Sequence, residues 1–156
     1  MPAGGSTDGG YDAEVEIAAS VGTVYDALTT LAGLAAWWTP AVSGRSAEGG
    51  ELTFSFAEER VVMRVDHLVA RRRVCWTCLV HTKFPEWRGT TLAFDLDERG
   101  PESTVVAFGH VGLVADLECY GMCSRGWAHY LDSLVSYASG HDGSPWGTET
   151  WRPARA

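Results

Sequence analysis

Between Glu51 and Leu113 the chain sets one strand-like run after another, each alternating apolar with polar residues, and one long helical pattern follows. That helix carries Cys119, Met122, Cys123, Trp127, Tyr130, Leu131 and Leu134. A sheet of that extent with a single long helix to cover it must curl around the helix or leave apolar surface in water. Curling leaves a gap between sheet and helix. The pattern therefore predicts a cavity along with a fold.

The elements can be placed along the chain. Residues 1–10 read as a flexible Gly/Ser leader. Tyr11, Ala13, Val15 and Ile17 alternate with Asp12, Glu14 and Glu16, as in a half-buried first strand. Ser20 is a candidate N-cap for a short helix with Val24, Leu28 and Leu31 on one stripe. Gly33 is expected to break it, and a second short helix, Leu34 to Trp38, to end before Pro40. A strand at Val42–Arg45 and the Gly49-Gly50 turn signal lead into Leu52, Phe54 and Phe56 on one face. Val61, Met63, Val65, His67 and Val69 share the next inward face. Val74, Trp76, Cys78 and Val80 come next, then Thr90, Leu92, Phe94 and Leu96, then Thr104, Val106, Phe108 and His110.

Connections this short imply an antiparallel meander, because parallel pairs need long crossovers. The last helix is expected from about Leu117 to Ser139. Its apolar stripe runs Cys119, Cys123, Trp127, Tyr130/Leu131, Leu134 and Ala138; Glu118, His129, Asp132 and Ser136 point away, and Gly140 closes it. The class is α+β: a curved antiparallel sheet of about seven strands wrapped around a long C-terminal helix. A single domain covers 11–140, with a tail, 141–156, that carries Trp146 and Trp151.

Composition narrows the function classes. The 156 residues are one domain's worth of chain. A hydrophobic fraction of 46% with 21% charged residues is globular. The net charge of −8 disfavours nucleic acid and anionic lipid as partners, since both need clustered Lys/Arg. Arg71-Arg72-Arg73 sits between strand patterns and reads as a turn. No apolar run approaches the roughly 18–20 residues that span a bilayer, so no membrane insertion is expected. The N-terminus lacks the basic start and apolar core of a signal peptide, so a cytoplasmic address is expected. There the four cysteines stay thiols.

Catalytic and metal signals are sparse. Cys75-x-x-Cys78 has zinc-knuckle spacing, but residues three apart on a strand face opposite sides. Cys119 and Cys123 lie one helical turn apart, where free cysteine packs as a small hydrophobe; no metal is expected. His67 and His110 fall on inward faces and are the candidate catalytic residues, with Glu118 or Tyr130 close by for proton transfer. No Ser-His-Asp order or nucleophile elbow is present. Gly49-Gly50 and Gly109-His110-Val111-Gly112 fit neither a phosphate loop nor a dinucleotide fingerprint, so no cofactor is expected.

Aromatic residues are the richest signal: seven Trp, five Tyr and five Phe. Trp37, Trp38, Phe54, Phe56, Trp76, Phe94, Phe108, Trp127 and Tyr130 project toward the sheet–helix space. With Met63, Cys78, His110 and Cys123 they make the candidate ligand-binding set. Convergent polar groups that such a pocket needs are sought among His67, Thr77, His110, Tyr120, Glu118 and Arg125.

Four stretches in this order carry a resemblance: Leu34-Ala-Ala-Trp37-Trp38-Thr-Pro40, Gly89-Thr90-Thr91-Leu92-Ala-Phe94-Asp-Leu96-Asp, Ser103-Thr104-Val-Val106-Ala-Phe108-Gly-His110-Val-Gly112-Leu113, and Gly126-Trp127-Ala-His-Tyr130-Leu131-Asp-Ser-Leu134. Gly143-Ser-Pro145-Trp146 lies beyond them. Over roughly residues 11–146 the chain resembles the helix-grip fold of the START-like (SRPBCC) superfamily, in the branch named after the activator of a heat-shock chaperone ATPase. The resemblance implies a cavity for a small hydrophobic or aromatic molecule. The alternatives it implies are a polyketide cyclase/dehydratase-like enzyme using an inward histidine, and a chaperone cofactor or interaction module. A homodimer through an edge strand or the Trp-bearing tail is compatible with it.

Overall fold

The computed structural model describes residues 10–114, 117 and 119–147. The leader before Gly10, Glu118, and the tail from 148 onward with Trp151 lie outside the described residues. The order is β1 (Gly10–Ile17), α1 (Val21–Thr29), α2 (Leu31–Trp37), β2 (Val42–Gly44), β3 (Glu51–Phe56), β4 (Glu59–Val69) and β5 (Arg73–His81). A turn of 3-10 helix (Pro85–Trp87), β6 (Thr91–Gly100), β7 (Ser103–Val111) and α3 (Tyr120–Ala138) complete it. The strands form one antiparallel sheet in the order β1-β7-β6-β5-β4-β3-β2, a meander with β1 closing against β7. Curved around α3, it is the expected α+β helix-grip architecture.

Helices α1 and α2 begin where side chains satisfy free backbone groups. Ser20 accepts the Thr23 N–H at the start of α1. The break before α2 falls at Thr30, where the expectation had it at Gly33. Thr30 ends α1 and caps α2 by accepting the Gly33 N–H at 3.0 Å. Gly33 sits inside α2 because a Cβ there would lie 2.8 Å from Ala27 Cα and Ala27 O. The glycine permits close packing of α1 on α2, and Leu31 is pushed to the exposed side. At the far end, α3 closes with Gly140 at φ +97°. The Gly140 N–H bonds Tyr137 O and the His141 N–H bonds Ser136 O, the paired arrangement of a Schellman cap.

The core fills the middle of the sheet–helix space. Trp37, Phe54, Trp76 and Phe94 are fully buried. Trp38 stacks parallel to Trp76 at 6.2 Å and packs on Phe54 at 4.2 Å and on Trp127 at 5.2 Å. Trp76 meets Phe94 edge-on at 5.4 Å, Phe94 meets Phe108 at 5.0 Å, and Phe108 meets Trp127 at 4.6 Å. These spacings are direct ring contact. Through these rings the expected gap between sheet and helix is closed by its own aromatic lining.

Two register shifts break the period-two alternation of β4 and β5. Val65 pairs with Trp76 and His67 with Cys75, so Asp66 is an extra residue on β4. Met63 pairs with Cys78 and Val62 with Val80, so Leu79 is an extra residue on β5. Each bulge inverts the facing of the strand residues beyond it. His67 and Val69, expected inward, are exposed. Past Leu79, Val80 pairs with the half-buried Val62, and His81 pairs with the buried Val61.

Candidate functional site

The remaining space is a cavity of about 470 Å³ at one end of the sheet–helix gap, within the range of small-molecule sites. Three segments wall it. The β3–β4 hairpin supplies Phe56, Ala57, Glu59 and Val61; the end of β5 and its loop supply His81, Lys83, Phe84 and Trp87. The first half of α3 supplies Met122, Cys123, Gly126, Trp127, His129 and Tyr130, with Trp38 and Trp146 adding two further rings. Ala57 turns the two-residue hairpin with φ +58°, and Met122 stands 48% exposed at the mouth.

His81 is a polar group of this wall, brought there by the Leu79 bulge. Its Nδ1 accepts the backbone N–H groups of Lys83 at 3.2 Å and Phe84 at 3.0 Å. A ring nitrogen facing two donors carries no proton, so the neutral ring bears its hydrogen on Nε2. Burial pushes the His81 pKa from 6.5 down to about 4, against the opposing pull of Glu59 and Glu86. The ring rests edge-on against Trp87 at 4.6 Å and tilted against Phe84 at 5.1 Å. Lys83 reaches over Phe84, with its Nζ 5.4 Å from the ring centroid. Glu59 accepts a hydrogen bond from Thr82 Oγ1 at 3.1 Å.

His110 lies one layer deeper, with no exposed surface. Trp127 Nε1–H donates to its Nδ1 at 3.0 Å. That fixes the neutral tautomer, and Nε2–H donates to Thr90 Oγ1 at 2.9 Å. The Thr90 hydroxyl in turn donates to the Trp87 carbonyl at 2.5 Å. The chain Trp127–His110–Thr90–Trp87 ends on a backbone carbonyl and leaves no ring nitrogen of His110 for a substrate. Burial, with a smaller contribution from His81, lowers the His110 pKa to about 3. Trp87 stacks on Trp127 at 6.0 Å and donates Nε1–H to Cys123 Sγ at 3.3 Å. Burial raises the Cys123 thiol, and that of Cys78 to about 11, so both stay protonated at neutral pH.

A strap from the end of α3 closes one side of the mouth. Ser133 Oγ donates to Trp37 O at 2.8 Å and accepts the Ser144 N–H at 2.7 Å. His129 bonds Ser144 O at 2.9 Å, so its ring is tied to the strap. Trp146 N–H bonds Trp38 O at 2.8 Å, and its ring stands perpendicular to Phe56 at 6.0 Å.

A comparison with protein families matches residues 18–139 to the Activator of Hsp90 ATPase homolog 1-like protein family. The chain belongs to this family. No curated protein matches the sequence. Among solved structures this Aha1-like domain is similar to the Aha1 dimer from Colwellia psychrerythraea, at 29% identity over 85% of this chain and 97% of that one, with a TM-score of 0.75. It shares its fold with EF2215 from Enterococcus faecalis, at 20% identity over 88% and 75% of the two chains and a TM-score of 0.69. CalU16 from Micromonospora echinospora shares it too, at 19% identity over 85% and 75% and a TM-score of 0.67.

Of the candidate residues, the cavity of this Aha1-like domain gathers Trp38, Phe56, Cys123, Trp127 and Tyr130. Trp37, Phe54, Met63, Trp76, Cys78, Phe94 and Phe108 are buried in the packed core instead. His110 backs the wall through Trp127, and His67 is on the outer face. The polar candidates fare worse: Thr77 donates to Asp66 on the outer face, and Arg125 is exposed. Sequence reasoning missed His81 and Trp87. Strict alternation from Trp76 turned His81 outward, and Trp87 lies between two strand patterns. A large aromatic beside Pro85 in a turn is the one signal that marked it.

Proposed function

We propose that this domain binds a small hydrophobic or aromatic molecule in the cavity between the open end of the sheet and α3. The observation that carries this reading is a concave space of about 470 Å³ walled by Trp38, Phe56, Phe84, Trp87, Trp127 and Trp146. Such a wall contributes about 25 cal/mol for each Å² of apolar ligand surface it covers. A molecule resting on these rings quenches or shifts tryptophan emission. Native mass spectrometry of protein purified from its own host is expected to show a retained mass, and flat apolar probes are expected to quench. No retained mass together with no saturable quenching would end the reading.

Catalysis by the two sequence-selected histidines has no geometric support, because His67 faces outward and both His110 nitrogens are occupied. The free thiols suit a reducing, cytoplasmic compartment. A homodimer is a second proposal, favoured by the likeness to the Colwellia dimer. Light scattering after size exclusion tests it, and a monomer mass at micromolar concentration rejects it.

A further inference from the structure

We infer that His81 selects the ligand: the cavity takes flat, uncharged aromatic molecules that carry a hydrogen-bond acceptor oxygen, such as an aryl ketone, quinone or lactone, and holds that oxygen on His81 Nε2–H. This rests on the binding reading above and deepens it.

The tautomer comes first. The Lys83 and Phe84 N–H groups both end on Nδ1, so the ring's one hydrogen is on Nε2. Position comes second. Among the described residues no side-chain nitrogen or oxygen is both buried and unpaired. Both ring hydrogen bonds of His81 are spent at Nδ1, so Nε2 reaches accessible space, and the space His81 borders is the cavity. Rigidity comes third. The ring is wedged between Phe84 and Trp87 and pinned by two backbone groups, so its donor is already aimed when a ligand arrives.

Three other polar groups of the wall have partners of their own. Glu59 is held by Thr82, Lys83 sits over Phe84, and His129 is tied to the Ser144 carbonyl. A rigid neutral donor among indoles favours an acceptor at the edge of a flat ring system. A pure hydrocarbon forfeits that bond and strips water from Nε2–H with nothing in return.

The test compares 2-acetylnaphthalene with 2-isopropylnaphthalene, near-isosteres with and without the oxygen, by quenching of intrinsic tryptophan emission. The full chain is expected to bind the ketone about three- to tenfold more tightly than the hydrocarbon. In His81→Asn the amide oxygen takes the place of Nδ1 toward Lys83 and Phe84, while nothing stands at Nε2. Its ketone-to-hydrocarbon ratio is expected to fall to about one, with far-UV circular dichroism confirming the fold. Equal affinities in the unaltered chain overturn the inference and leave the cavity reading intact. A preference that survives in folded His81→Asn also overturns it. Saturable binding of neither probe overturns both.

Discussion

The imidazole of His110 sits between Trp127 and Thr90 as a neutral hydrogen-bond relay, and this makes it a weak point in acid. Unfolded, it takes a proton near pH 6.5; folded, it resists down to about 3. The unfolded chain therefore binds more protons across that window. The stability contributed by the neutral ring is whole above about pH 6.5 and drains away as pH falls toward 3, by up to about 1.4 kcal/mol per pH unit. His81, with a folded value of about 4, acts in the same direction over the upper part of the window. Replacing His110 with Phe leaves the Trp127 N–H without its acceptor. Unfolding in urea at pH 7 is expected to show a loss of about 2–3 kcal/mol. Repeated at pH 5, the gap between variant and parent is expected to narrow, because the variant has no ring to protonate there.

At the scale of elements, the close approaches of backbones set the shape. Ala at position 33 would press its methyl against Ala27, so Gly33→Ala is expected to cost about 1–3 kcal/mol in denaturant unfolding. Ser133 ties three segments together through one hydroxyl: α3, the end of α2 and the strap. Ser133→Ala is expected to lower stability by about 1–2 kcal/mol. Hydrogen exchange at the Ser144 amide should speed up more than in the strands. Exchange unchanged at Ser144 would mean that His129 and Trp146 hold the strap without Ser133. The same scale explains what could be read in advance. Strands such as β6 and β7, with Leu92, Phe94, Val106 and Phe108 inward, obey strict alternation, and their faces were legible from residue type. β4 and β5 were legible only as far as Asp66 and Leu79. Neither bulge residue carries a glycine or proline to announce it, and past each one the assignment of faces inverts.

Over the whole molecule, a curved sheet with one long helix was legible because no other arrangement covers that much apolar strand surface. How far the hollow extends was not, since it depends on whether the rings of Trp38, Trp76, Phe94 and Phe108 meet. They do, and the end that stays open is the one where Trp87 and Trp127 form the back wall. A ligand held there binds only the folded state. At a hundred times its dissociation constant it is expected to add about 2.7 kcal/mol, a rise in melting temperature on the order of 5–10 °C. Differential scanning fluorimetry with 2-acetylnaphthalene checks this, and no shift at saturation would contradict it.

The extra residue at Leu79 works like one click of a ratchet. Without that step, and with no residue lost, Leu79 would oppose Val62 and Val80 would oppose Val61, so the isopropyl group of Val80 would take the place of the imidazole at the mouth. Related chains that carry the step and related chains that run straight there would then line their pockets with different chemistry. Position-by-position matching that overlooks the step would assign the specificity of one to another in error.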